Sequence, residues 1–227
     1  MKVWLFDIDG TLIVSRGAGQ EATWAAMRVA FGVDPREGEI RFAGRTDRAI
    51  AADLFRLHDV PITQENWWRF RAAYLQELNR CLPGREGQIL PGVRDLLSRL
   101  VGRSTAHLGL LTGNIRDGAA AKLQFFELWE HFHFGGYGDD HESRNDVAAQ
   151  AVADAQRHLG DHFHDCEVWV IGDTVHDVEC ARSVGARCLA VATGGATIAE
   201  LRSAGPDLLL NDLTWCEELR ELIEDDA

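Results

Sequence analysis

Lysine is almost missing from this 227-residue chain, which has only Lys2 and Lys122. Bases of both kinds are outnumbered, 23 against 36 acids, giving a formal net charge of −13. That balance argues against a nucleic-acid partner, which would call for a basic face. Cysteine is scarce too. Cys81, Cys166, Cys180, Cys188 and Cys216 are odd in number, stand at least eight residues apart and form no CxxC. Neither a disulfide framework nor a zinc knuckle follows from such spacing. No apolar run approaches the roughly 18 residues of a membrane span; the strand-like stretches are pieces such as Val168–Ile171. The N-terminal MKVWLFDIDG has a four-residue apolar stretch that runs straight into two aspartates, unlike a signal peptide. Internal repeats and low-complexity segments are absent as well. The expectation is a cytoplasmic, reduced protein with no nucleic-acid and no membrane partner.

What is present is the composition of an ordinary globular protein, 46% hydrophobic and 26% charged, so a packed core is affordable at this length. Val3–Phe6 reads as a buried strand that stops at Asp7. From about residue 18 the period becomes helical. Trp24, Met27 and Phe31 share a face, and Ile50, Leu54 and Leu57 repeat the pattern after Thr46, a plausible N-cap. Trp67, Phe70, Tyr74 and Leu78 make a third helix, from near Thr63 to before Pro83-Gly84. Residues 14–86 therefore read as all-helical. Beyond Pro91-Gly92 strands alternate with helices: strands at Leu108–Leu111, around Phe132–Phe134, at Val168–Ile171, at Cys188–Ala192 and at Leu208–Leu210. Such alternation predicts an α/β fold, with a parallel sheet covered by helices on both faces and an all-helical insertion after the first strand. The predicted division is 1–13 and 87–227 for the α/β core, and 14–86 for the helical cap.

In open α/β sheets, ligands bind at the carboxyl ends of the strands. The first strand ends in Asp7-Ile8-Asp9-Gly10-Thr11, the next in Thr112-Gly113-Asn114, and a later one in Gly172-Asp173-Thr174, with Asp177 a turn further on. Asp7, Asp9 and Asp173 would therefore meet at one edge. Close like charges raise one another's pKa. A hard divalent cation with oxygen ligands relieves the repulsion, and magnesium suits a site that also takes phosphate.

DIDGTL, LLTGN and VIGDTVHDVECA, in this order and spacing with a helical segment after the first, resemble the motifs of the haloacid dehalogenase (HAD) superfamily. Its phosphoglycolate phosphatase-like members are the most similar in appearance, and the resemblance spans the whole chain. It implies a Rossmann-like core and Asp7 as a nucleophile forming an aspartyl-phosphate. Asp9 would be the acid that protonates the leaving oxygen and later activates water. Magnesium would be held by the Asp7 carboxylate, the Asp9 carbonyl and Asp173, with Asp177 fixing the site from behind. Thr112, Asn114 and main-chain amides of the Asp7–Gly10 loop would grip phosphoryl oxygens, with Thr11 beside them. Gly10 and Gly113 would allow close backbone approach.

The family's usual basic residue, a lysine, has no obvious counterpart. Lys122 lies in the helix just after the second motif, too early for that role, which falls instead to Arg144 at the start of a later helix. Arginine would meet phosphate as a bidentate fork. In the cap, Arg16 and Arg45 are the expected substrate readers. His158, His162 and His164 read as a surface loop, since their spacing matches no known metal site. The resemblance implies a magnesium-dependent phosphatase acting on a small phosphorylated metabolite, as a monomer or homodimer. A phosphomutase of the β-phosphoglucomutase type would carry the same motifs. A non-catalytic binding protein of this fold is disfavoured by the intact aspartates, and a dehalogenase by Asp9.

Overall fold

The computed structural model describes residues 1–35 and 40–224. The first strand, β1 (Lys2–Phe6), is buried at every position. After a tight loop the chain makes a two-residue strand, β2 (Ile13–Val14), and then three helices: α1 (Ala18–Phe31), α2 (Asp47–Leu57) and α3 (Gln64–Cys81). Strand β3 (Gln88–Ile89) pairs antiparallel with β2, so both crossings into the helical segment run side by side. From there the chain alternates: α4 (Val93–Leu100), β4 (Ala106–Leu111), α5 (Arg116–Phe125), β5 (Phe134–Gly136), α6 (Arg144–Leu159), β6 (Glu167–Gly172), α7 (Val175–Ser183), β7 (Arg187–Val191), α8 (Ile198–Ala204), β8 (Leu208–Leu210) and α9 (Glu217–Glu224).

The sheet has the order β5-β4-β1-β6-β7-β8, with all its pairings parallel. Its two faces are sorted by the two-residue period of a strand. Trp4, Phe6, Leu108, Leu110, Trp169 and Ile171 face one layer, packed with α4, α5 and α9. Val3, Leu5, Leu111, Val170 and Ala190 face the other, against α6, α7 and α8. Because both faces are covered, the strands read as continuous apolar runs, and this is why they were legible. The α/β fold with its helical insertion is as expected. From β1 the chain passes to β4 and β5 on one side and then crosses to β6 on the other, so the crevice of the sheet opens over the end of β1.

The inserted helices have an apolar core of their own, built on Met27, Leu54, Phe55, Phe70 and Leu78. Phe55 packs edge-on against both Phe31 and Phe70, with ring centroids 5.2 and 5.8 Å apart. Thr46 and Thr63 cap α2 and α3 by accepting the Ala49 and Asn66 amides at 3.1 and 3.2 Å. Of the Trp67-Trp68 pair, Trp67 is core and Trp68 is 62% exposed.

Two expectations need correction. The stretch 14–86 is not purely helical, since Val14 belongs to β2. The strand expected around Phe132–Phe134 runs over Phe134–Gly136. Phe132 instead follows a 3₁₀ turn and packs edge-on against Phe6 with centroids 5.9 Å apart; pairing with β4 starts only at Phe134.

Candidate active site

β1, β4 and β6 are neighbours, so their C-terminal ends deliver Asp7, Thr112 and Asp173 to one crevice. Asp7, Asp173 and Asp177 are all buried and can each offer an oxygen, these atoms lying within 4.8 Å of one another. Among the described residues this is the one group of three or more His, Cys, Asp or Glu side chains so arranged. Burial raises the Asp7 carboxyl to about 6 against the pull of Arg144, with Asp177 and Asp9 adding to the rise. Burial, then repulsion from Asp177 and Asp7, raises Asp173 to about 8.

Asp173 is enclosed by glycine. Gly10 has φ +91°, and a Cβ there would lie 2.5 Å from Asp173 Oδ2; one on Gly194 would overlap the same carboxylate. In the space so left, Thr11 donates to Asp173 Oδ1 at 3.2 Å and the Gly195 amide to Oδ2 at 3.1 Å. Asp177 stands behind. Its Oδ2 accepts from the Thr174 amide and hydroxyl at 3.0 and 2.6 Å, and its Oδ1 is paired with Arg144.

Arg144, buried at the start of α6, reaches both Asp177 and Asp7, the latter at 3.4 Å. Burial would lower its pKa, but Asp177 and Asp7 hold the guanidinium firmly charged. Its buried Nε has no hydrogen-bond partner among the described residues, which leaves a donor to spare.

Lys122, set aside on sequence position, is in the site. It lies on the buried face of α5 and spans two helical turns back to the motif. Its Nζ donates to Asp9 Oδ2 at 2.5 Å and to Asn114 Oδ1 at 2.7 Å. Asn114 Nδ2 donates to the same Asp9 oxygen at 2.9 Å and to Thr112 Oγ1 at 2.8 Å, and Ser15 donates to Asp9 Oδ1 at 3.1 Å. Burial alone would raise the Asp9 carboxyl, but Lys122, Asn114 and Ser15 more than offset it and hold it below the ordinary value. A signal for Lys122 existed: a lysine on the apolar face shared by Ala119 and Leu123 is costly unless a buried carboxylate awaits it.

A cavity of 340 Å³ joins these groups to the cap, whose Phe42, Ile50 and Tyr74 line its far wall. That volume is at the small end of the range for small-molecule sites. Gly113 lets the cap come close, since a Cβ there would overlap the Arg45 carbonyl. The two cap arginines line the cavity but are engaged elsewhere. Arg45, just before α2, forms an ion pair with Asp53 of that helix at 2.6 Å, and exposed Arg16 donates from Nε to the Glu86 carbonyl at 3.0 Å. His158 lies outside the cavity, stacked on His133 at a centroid distance of 6.0 Å. Sequence reasoning also missed Ser15, Tyr74 and Asp47. Asp47 is a cap carboxyl that burial raises to about 6 despite Lys122 and the Ile115 amide.

A family model described as haloacid dehalogenase-like hydrolase matches residues 4–191. The phosphoglycolate phosphatase of Synechococcus elongatus is 32% identical over 210 residues, covering 92% of each chain. Among solved structures, a hydrolase from Pseudomonas syringae superposes with a TM-score of 0.69 at 24% identity, covering 100% of this chain and 98% of that one. CbbY from Rhodobacter sphaeroides, in complex with phosphate, gives a TM-score of 0.71 at 22% identity over 94% and 95% of the two chains. At these identities the two structures speak for the fold.

Proposed function

The chain belongs to the haloacid dehalogenase-like hydrolase family, and on that premise we propose that it is a magnesium-dependent phosphatase, working through an aspartyl-phosphate on Asp7. Its substrate would be a small phosphorylated metabolite of the phosphoglycolate kind. The observation that carries this reading is the convergence of Asp7, Asp9, Lys122, Arg144 and Asp173 on one small cavity. The Synechococcus relative supports the substrate class.

The residues present fit a divalent cation. Three buried carboxylates, Asp7, Asp173 and Asp177, are clustered with one guanidinium, Arg144, and the raised proton affinity of Asp7 and Asp173 is what uncompensated negative charge produces. All the donors are oxygens, as magnesium prefers. Asp7, Asp173 and the Asp9 carbonyl would hold the ion, with Asp177 bracing Arg144 and the start of α7. When bound, magnesium would neutralise charge between the Asp7 carboxylate and the phosphoryl oxygens.

In the first step an Asp7 carboxylate oxygen attacks phosphorus, the ester P–O bond breaks, and the Asp9 carboxyl gives its proton to the leaving oxygen. Lys122, Thr112 and Asn114 donate to phosphoryl oxygens on one side and Arg144 on the other. Drawing Lys122 and Asn114 toward the phosphoryl group loosens their hold on Asp9, which frees it to carry a proton. In the second step Asp9 takes a proton from water, the water oxygen attacks phosphorus, and the P–O bond to Asp7 breaks. Phosphate leaves and the carboxylate of Asp7 is restored. The cap excludes bulk water from both steps.

Chelation tests the metal dependence. Hydrolysis of p-nitrophenyl phosphate should vanish with EDTA and return with excess magnesium; activity indifferent to chelation would contradict the reading. Thermal melts over pH test the site's electrostatics. A carboxyl with a raised pKa holds more protons folded than unfolded between its ordinary and raised values, so stability falls as pH climbs through that window. Asp173 acts this way up to about 8. His107, lowered by burial, tilts the curve the other way below its ordinary 6.5. The Tm of the metal-free protein should therefore fall from pH 6.5 to pH 8, and magnesium should raise Tm more at pH 8. A flat or rising metal-free Tm across that window would contradict the account.

A further inference from the structure

The cap wall of the cavity carries polar groups that phosphoryl transfer does not use. Asp47, the first residue of α2, lines the cavity, and its Oδ2 accepts the main-chain N–H of Ile115 at 2.8 Å. Among the described residues its other oxygen, Oδ1, accepts no hydrogen bond. Tyr74, from α3, enters the same wall, and its hydroxyl likewise has no hydrogen-bond partner among the described residues. Burial, then the negative charge of Asp47 and Asp9, keeps that phenol protonated. Glycines leave it room: Cβ atoms on Gly19 and Gly118 would stand 3.7 and 3.6 Å from the Tyr74 oxygen. The Cβ on Gly19 would also stand 3.3 Å from Lys122 Nζ, so the hydroxyl is a near neighbour of the lysine that bonds Asp9. Asp9 serves the leaving oxygen in the reading above, which puts Asp47 and Tyr74 on the alcohol's side of the phosphoryl group.

A carboxylate acceptor beside a neutral O–H donor matches a hydroxyl, which both donates and accepts. It does not match a carboxylate, which can only accept. Nor does the cavity hold a spare cation for one. Of the four cations that line it, Arg144 is on Asp7 and Asp177, and Lys122 is on Asp9 and Asn114. Arg45 is on Asp53, and Arg16 is on the Glu86 carbonyl. Phe42 and Ile50 complete the wall with apolar surface for a short carbon chain.

We propose that the site takes a second class of substrate, phosphate monoesters of small polyols, with a hydroxyl of the leaving alcohol donating to Asp47 Oδ1 and accepting from the Tyr74 hydroxyl. The inference rests on the phosphatase reading and deepens it on the side of the alcohol. The hydrolysis is unchanged: water enters, and the polyol and inorganic phosphate leave. An ester without the hydroxyl leaves a charged acceptor unpaired in the closed cavity, and that penalty is the source of the preference. A small acid such as glycolate brings its carboxylate to the same wall, so Asp47 weighs the two classes against each other.

Three esters, assayed with magnesium, test this: glycerol 3-phosphate, propyl phosphate (the same chain without its hydroxyls) and 2-phosphoglycolate. In the wild type, kcat/KM should be at least about tenfold higher for glycerol 3-phosphate than for propyl phosphate. Asp47→Asn keeps an oxygen for the Ile115 amide and offers the cavity a neutral N–H donor in place of the charged acceptor. It should lower kcat/KM on glycerol 3-phosphate about 30-fold and raise it on 2-phosphoglycolate about threefold to tenfold. Tyr74→Phe should cost glycerol 3-phosphate about fivefold more than it costs propyl phosphate. An Asp47 that only braces the fold would lower all three esters together. Such parallel losses, or a wild type that treats glycerol 3-phosphate and propyl phosphate alike, would overturn the inference and leave the phosphatase reading standing. No hydrolysis of any ester, p-nitrophenyl phosphate included, would remove that reading and the inference with it. The wild-type comparison of glycerol 3-phosphate with propyl phosphate needs no variant, so it decides the matter even where Asp47→Asn fails to fold.

Discussion

Asp7→Asn should abolish phosphatase turnover, with kcat down at least about 10⁴-fold, because an amide oxygen is too poor a nucleophile to displace an ester from phosphorus. The same variant should melt higher than the wild type when both are metal-free at neutral pH. Asp7 is a buried carboxyl raised to about 6, with Asp177 and Asp9 pressing on it, so removing its charge removes repulsion that the apo protein carries. Lost activity with gained stability marks a residue kept for chemistry at the expense of folding. Lost activity with lost stability would instead make Asp7 a structural partner of Arg144. Residual turnover above about 1% would remove it as nucleophile.

Arg144→Ala should damage both properties. The guanidinium is the cation bonded to Asp7 and Asp177, and Asp177 is entirely buried. Removing one partner of a buried ion pair leaves the other uncompensated, at a cost of about 3–5 kcal/mol. The metal-free variant should therefore lose many degrees of Tm, with magnesium restoring part of the loss. Turnover should fall about 10²- to 10³-fold, as it does when one donor to a transition-state oxyanion is deleted. Arg144→Lys keeps the charge but not the fork that spans two carboxylates, and should fall between. Near-normal Tm and activity in the alanine variant would leave Lys122 as the cation that matters.

Much of the architecture was legible because its signals are local. Strands buried on both faces read as apolar runs, and Thr46 and Thr63 announced their helices by chemistry that acts within three residues. The aspartates could be nominated because a strand's carboxyl end is a position along the chain. Local signals failed where partners are distant. The β2–β3 ribbon is two residues a side, below any periodicity. Phe132 and Phe134 are both apolar, and only tertiary packing decides which one enters the sheet. Lys122 comes too early in the order of motifs to suggest its role, although its place on a buried helix face points inward. Asp47 gave no sign at all, since its partner amide lies 68 residues away. Arg45 lines the cavity as its place in the chain suggests, while its ion pair with Asp53 is set by tertiary packing.

The central claim is a phosphoryl group carried on Asp7. Intact-mass and peptide mass spectrometry of the Asp9→Asn protein, quenched in acid after mixing with magnesium and 2,4-dinitrophenyl phosphate, whose phenolate leaves without a proton, tests it most directly. Without Asp9 to deprotonate water, the adduct should accumulate. The account predicts one phosphoryl increment, mapped to the peptide containing Asp7 and absent from an Asp7→Asn, Asp9→Asn control. Slow turnover with no such adduct at any time point would contradict it and point to direct attack by water on the substrate.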